Sequence, residues 1–423
     1  MSPVLMILYA AAAAMPGAAL APAGGHVVTE GTFRDATSPD WDARTRFEAD
    51  IAVARFARDG MPGVPKAQAP VADLQWPLKP AAGFDQYDYH GTLNFVDHDP
   101  RFPEFVQDYT CGTRTYDLAG GYNHAGTDYY LWPFPWLMMD EGQVAIVAAA
   151  PGVISGTDDG HFDRQCFFDG TSQPNFVRIL QDDGLTAIYL HMRNGSVTTL
   201  PLGARVAAGD YLGLVGSSGQ SSGPHLHFEL RDAAGNVVDP RHGQCNAAPD
   251  RWAVFQPYED PHIDSLSTHA AEPEQAGCGF ANDANVDDAP HYADTFAPRD
   301  VLWVFASYRD QRNGEVTQYS ILRPDGSVFA QWDFDLATQG FPRPFYSGTA
   351  WDWKFVLPAA VPRGAWQVRA VFEGQTYTHD FVVADAPASG DAGAVRARAQ
   401  NAAAATRCRP HVGDPLPYTC TPP

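Results

Sequence analysis

At 423 residues the chain exceeds one average domain and predicts two or three. Hydrophobic residues make up 45% and charged ones 18%, with 38 Gly and 35 Pro, which excludes a disordered chain and suits a turn-rich, mostly β protein. The formal net charge of -22 excludes a nucleic-acid partner, because a phosphate polymer needs a basic surface.

Residues 1–21, MSPVLMILYAAAAAMPGAALA, place an apolar run from Val4 to Ala14 ahead of small residues, the order of a signal peptide, although no Lys or Arg precedes the run. No later segment reads as a transmembrane span. Residues 22–71 form an N-terminal segment with one predicted helix over 38–60, opened by Ser38-Pro39-Asp40, carrying Phe47, Ile51, Val53 and Phe56, and stopped at Gly60. That segment is a candidate prosegment. From about 72 to 245 short apolar runs such as QVAIVAAAPGVISG and FVRILQDDGLTAIYLHM alternate with Gly, Pro and Asp, the pattern of strands with tight turns, and a first domain is expected over 72–278. Within it, YYLWPFPWLMMDEG is unusually aromatic and is expected to serve packing rather than to wall a substrate groove.

A Pro-, Asn- and Asp-rich linker is expected over 279–293 and a β-sandwich over 294–384, with Trp303, Trp351, Trp353 and Trp366 in its core and a hairpin turn at Asp325-Gly326. An Ala-rich spacer (385–407) and a disulfide-closed tail (408–423) follow. Six widely spaced cysteines without a Cys-x-x-Cys pair suit disulfides and export. Proximity along the chain suggests Cys111 with Cys166, Cys245 with Cys278 and Cys408 with Cys420.

The chemistry concentrates at GPHLHFEL, residues 223–230, where two histidines stand two apart in a strand pattern. In a strand His225 and His227 share one face, and Leu226 and Phe228 share the other. NHAGTDYY adds His124 and Asp128 at a spacing of four, and AIYLHMRNG adds His191 at the end of an apolar run. A mononuclear zinc enzyme needs about three nitrogen or oxygen ligands, an open position and groups that move protons. Four histidines and one carboxylate meet that need; each motif alone would be weak.

The stretches HAGTD, YLHM, GSSGQSSGPHLHFEL and VVDP (237–240) together resemble the lysostaphin-type zinc endopeptidases, the LytM or M23 metallopeptidase family, over roughly residues 110–242. The resemblance implies an antiparallel β-sheet peptidase domain with an open groove, followed here by the small β-sandwich. It implies His124, Asp128 and His227 as ligands of one zinc ion per chain, with His191 and His225 as unligated catalytic histidines. The implied activity is hydrolysis of peptide cross-links in peptidoglycan by a secreted or periplasmic protein. The alternative is a non-catalytic wall-binding or amidase-activating protein of the same fold.

Overall fold

The structure, a computed structural model, describes residues 20–28, 73–167, 169–276 and 287–385. Most of the signal-peptide segment, the predicted helix over 38–60, the spacer beyond 385 and the tail lie outside the described residues. Along the chain run β1 (Gly24–Val28), β2 (Leu78–Pro80), β3 (His90–Asn94), β4 (Thr127–Leu131), the short helix α1 (Pro135–Asp140), β5 (Val144–Val147), β6 (Gly152–Asp158) and β7 (Phe176–Gln181). They are followed by β8 (Thr186–Leu190), β9 (Arg205–Val206), β10 (Tyr211–Leu214) and β11 (His225–Arg231). The second half holds β12 (His262–His269), β13 (Thr295–Phe296), β14 (Val301–Arg312), β15 (Thr317–Leu322), β16 (Val328–Phe334), β17 (Phe345–Val356), β18 (Gly364–Phe372) and β19 (Gln375–Val383). The protein is mostly β, as the composition predicts.

The first half is a seven-stranded sheet in the order β3-β4-β11-β8-β7-β6-β9, with a three-stranded sheet β10-β5-β2. Every pairing in the larger sheet is antiparallel. Strand alternation decides the two faces of β11. Leu226, Phe228 and Leu230 join Tyr129, Tyr189, Val177 and Ile179 in a core that also takes Val144, Ile146 and Leu212 of the smaller sheet. His225, His227 and Glu229 are left on the opposite face.

The second half packs a four-stranded sheet, β1-β17-β14-β12, with a five-stranded sheet, β13-β19-β18-β15-β16. Trp351, Trp353 and Trp366 fill the core between them, and Trp303 is buried with the Lys354 ammonium over its ring. β15 and β16 turn through Asp325-Gly326, with Gly326 at a φ of 79°. Glu373-Gly374 closes the β18–β19 hairpin with φ positive at both residues, the turn whose twist matches its strands.

Three features differ from the sequence expectations. β12, which the expected boundary at 278 places in the first domain, hydrogen-bonds to β14, and β1 of the N-terminal segment hydrogen-bonds to β17. Their partners come later in the chain, so strand pattern alone could not assign them. The aromatic stretch after Asp128 does serve packing, partly across the two halves: Tyr130, Trp132 and Phe134 meet Leu93, Val28, Phe305 and Ala350 in one buried cluster.

The third difference is covalent. Cys111 pairs with Cys245 and not with Cys166, at a Cα separation of 5.2 Å and across 134 residues. The turn at 243–246 docks on Tyr109: the Cys245 amide donates to the Tyr109 carbonyl at 2.8 Å, and a Cβ on Gly243 would sit 2.3 Å from that oxygen. The loop of Cys166 is held elsewhere, by the Gln165 amide donating to the Ser217 carbonyl at 2.9 Å, and Cys166 is disulfide-bonded to a different partner. Mapping of non-reduced peptides is expected to link Cys111 to Cys245, and Cys245→Ser to lower stability by about 2–5 kcal/mol in denaturant melts.

Candidate metal and catalytic site

The antiparallel register places Asp128 of β4 directly opposite His227 of β11. His124 lies four residues upstream, where the chain enters β4, and Gly126 between them lets β11 come close: a Cβ there would meet the Phe228 carbonyl at 2.6 Å and the His227 ring at 2.7 Å. His191 follows the end of β8 in the left-handed region, at a φ of 65°, an unusual conformation for a histidine that aims the ring back over the sheet.

These residues converge. His124 Nε2 lies 3.1 Å from Asp128 Oδ2 and 3.3 Å from His227 Nδ1, and His227 Nδ1 lies 3.0 Å from Asp128 Oδ1. His225 Nε2 is 3.8 Å from the same carboxylate. The His191 and His225 rings stand 4.6 Å apart, with His191 6.0 Å from His227. All five side chains are at most 1% exposed.

The outward nitrogens fix the tautomers. A carbonyl only accepts, so His124 Nδ1 donates to the Phe95 carbonyl (2.7 Å), His191 Nδ1 to the Ser218 carbonyl (2.7 Å) and His225 Nδ1 to the Gly223 carbonyl (2.8 Å). In their neutral forms each presents an Nε2 lone pair to the cluster. His227 is turned the other way: Nε2 meets Glu229 Oε2 at 3.2 Å, leaving Nδ1 toward Asp128. Burial raises the Glu229 carboxyl, but the Arg231 cation and the His227 ring outweigh it and hold it below its ordinary value. Asn94 Nδ2 donates to Asp128 Oδ2 at 2.7 Å.

Three donors therefore meet with lone pairs inward, the arrangement a divalent cation neutralises. His124, Asp128 and His227 each offer one atom within 4.8 Å of the others. His191 and His225 lie beside the group and outside it.

Sequence reasoning missed the supporting shell. Glu229 sits in the motif and Asn94 in the apolar run LNFV, where a lone amide is the signal that could have marked it. The Cys166 loop also reaches the site: Asn175 Nδ2 donates to the Met192 carbonyl next to His191 at 3.0 Å, and its amide donates to Ser218 Oγ at 2.9 Å. Gly219, at a φ of 77°, passes so close to Pro174 that a Cβ would lie 2.8 Å from its nitrogen.

Residues 136–240 match the model of the family described as Peptidase family M23. Uncharacterized proteins of Mycobacterium tuberculosis and Mycobacterium bovis are each 32% identical over 124 residues, which is 29% of this chain and 25% of theirs. The chain thus spans about a quarter of the length of these curated relatives. Among solved structures, the catalytic domain of the prophage-encoded M23 protein EnpA from Enterococcus faecalis is 24% identical, covering 38% of this chain and 93% of that one at a TM-score of 0.23. A putative peptidase M23 from Pseudomonas aeruginosa is 18% identical, covering 48% of this chain and 62% of that one at a TM-score of 0.24. The family match takes in β11 with His225 and His227 and the His191 turn.

Proposed function

We propose that the protein is an exported zinc-dependent endopeptidase that cuts peptide bonds in peptidoglycan cross-links. The carrying observation is the meeting of His124 Nε2, His227 Nδ1 and the Asp128 carboxylate within 3.0–3.3 Å, with the ring protons of both histidines committed to acceptors on their far sides. One carboxylate and two imidazoles suit zinc, and three protein ligands leave a position for reaction. Zinc bound there would lower the pKa of water from about 15.7 towards about 7 and polarise the scissile carbonyl.

The chain's own residues do the rest. His191 and His225 hold their Nδ1 protons on carbonyls, so each can take a proton at Nε2 as water attacks and return it to the leaving amine. Once protonated, each is also a cation beside the oxygen that gains charge. Burial strengthens these interactions by excluding water. Glu229 and Asn94 hold His227 and Asp128 in the orientation that points their lone pairs inward. Glu229→Gln, which keeps the shape and removes the charge, is expected to weaken zinc binding about 10- to 100-fold in a competition titration.

Export is supported by the order of residues 1–21 and by the disulfide, which belongs to an oxidising compartment. Peptidoglycan is supported by the likeness of GSSGQSSGPHLHFEL to lysostaphin-type enzymes. Among the described residues no helix is long and apolar enough to cross a membrane. The test is digestion of purified peptidoglycans of different cross-link chemistry, with mass analysis of the fragments, before and after chelation and zinc return. Cleavage that follows the metal is expected; binding of the polymer without cleavage of any of them would leave the wall-binding alternative.

A further inference from the structure

A second group of ligand-type side chains lies away from the catalytic cluster, on the seam between the two halves. β12 carries a bulge: Ile263 pairs with Tyr308 and Ser265 with Ser307, so Asp264 is the extra residue with no partner across the ladder. Bulges re-aim side chains. Here the Asp264 carboxylate lies with the His262 ring and the Asp88 carboxylate, one ligand atom from each within 4.8 Å of the others. Asp88 comes from the other half, just before β3, and its amide donates to the Asp264 carbonyl at 3.0 Å.

Asp264 has no exposed surface, and among the described residues neither of its carboxylate oxygens has a hydrogen-bond partner. Its nearest cation is Arg309, with Nη1 4.0 Å from Oδ1. That guanidinium is already committed at shorter range, to Asp88 Oδ2 at 2.9 Å and Asp260 Oδ2 at 2.6 Å. Three carboxylates thus share one guanidinium. His90 faces the group too, with Nδ1 2.9 Å from Asp88 Oδ1, and the Tyr377 ring stands 5.9 Å from His262. A buried carboxylate left in this way is costly unless it is protonated or meets a cation.

We propose that a divalent transition-metal ion binds between Asp88, His262 and Asp264 and ties the peptidase half to the sandwich. Two carboxylates and an imidazole favour a zinc- or manganese-like ion over calcium, which prefers a larger all-oxygen set. The ion supplies the positive charge that Arg309 shares too thinly. Position gives the site its consequence: Asp88 leads into β3, which ends at Asn94, the residue that orients Asp128. The site is independent of the catalytic reading, since it shares no ligand with it.

The experiment counts zinc, by elemental analysis after stripping, reloading with Zn2+ and dialysis, in the full chain. A variant with His124→Ala and His227→Ala, which has lost the catalytic cluster, is expected to retain about one zinc per chain, and adding His262→Gln to it should remove that ion. In the otherwise unaltered chain His262→Gln should lower the content from about two to about one, a comparison that stands if the double variant does not fold. A double variant that folds yet holds no zinc, or an unaltered chain whose content His262→Gln does not change, overturns the proposal. Failure of the unaltered chain, with both ions bound, to cleave any wall would count against the catalytic reading alone.

Discussion

Replacing His124, Asp128 or His227 with Ala is expected to remove cluster zinc and peptide cleavage together, whereas His191→Ala or His225→Ala should keep the ion and lower turnover by about 100- to 10,000-fold. The division follows from the geometry. The first three supply the lone pairs that meet within 3.0–3.3 Å, and two ligands do not hold zinc tightly beside an open position. His191 and His225 stand beside that group with their Nδ1 protons anchored on Ser218 and Gly223, so their loss removes proton transfer and leaves coordination intact. Zinc content and cleavage of a soluble peptide, measured side by side in the His262→Gln background, count only the cluster's ion. If His225→Ala loses zinc while His227→Ala keeps it, the two imidazoles of the pair have exchanged roles.

The five candidate residues were named from three short motifs and the resemblance that joins them, and the fold brings them together. A two-residue spacing in a strand puts His225 and His227 on one face whatever the rest of the fold does, whereas the pairing that sets Asp128 of β4 across from His227 joins residues 99 apart and is written in neither segment alone. Asn94 was not legible, since its link to Asp128 depends on how β3 aligns beside β4, over a bulge between Thr92 and Asn94. The Cys111–Cys245 pairing was hidden for the same reason: closeness along the chain says little when a turn 134 residues away docks on Tyr109. The segment from 294 to 384 read as strands, but nothing in a strand's own pattern says that β1 and β12 form the two edges of a sheet whose middle is made later. Long-range pairing is set by the shape of the whole, and the pattern of one segment does not contain it.

Breaking the ion pair between Arg114 and Asp310 is expected to unfold much of what holds the site. Both side chains are buried at the seam, with Arg114 Nη2 2.6 Å from Asp310 Oδ1 and Nη1 donating to the Tyr258 carbonyl at 2.6 Å. Arg114 also donates to the Thr92 carbonyl of β3, and its own carbonyl accepts from the Phe95 amide at 2.9 Å. Phe95 is the residue whose carbonyl orients His124, so a sandwich carboxylate fixes a ring of the candidate metal site through one arginine. Asp310→Asn, which suits the left-handed backbone at that position (φ 51°), leaves a buried cation without its charge partner and should cost about 3–5 kcal/mol in urea melts. Arg114→Met should cost a similar amount, and the two together less than their sum, because the second change removes the charge that the first left stranded. The same coupling argues against separating the halves. A chain ended near residue 280 would strand Arg114 and expose Leu93, Tyr130, Trp132 and Phe134, which meet Phe305 and Ala350 of the sandwich. Such a fragment is expected to be insoluble or to melt without cooperativity and to bind zinc poorly; a soluble fragment with a sharp melt and full zinc affinity would show that the seam supports neither the fold nor the site.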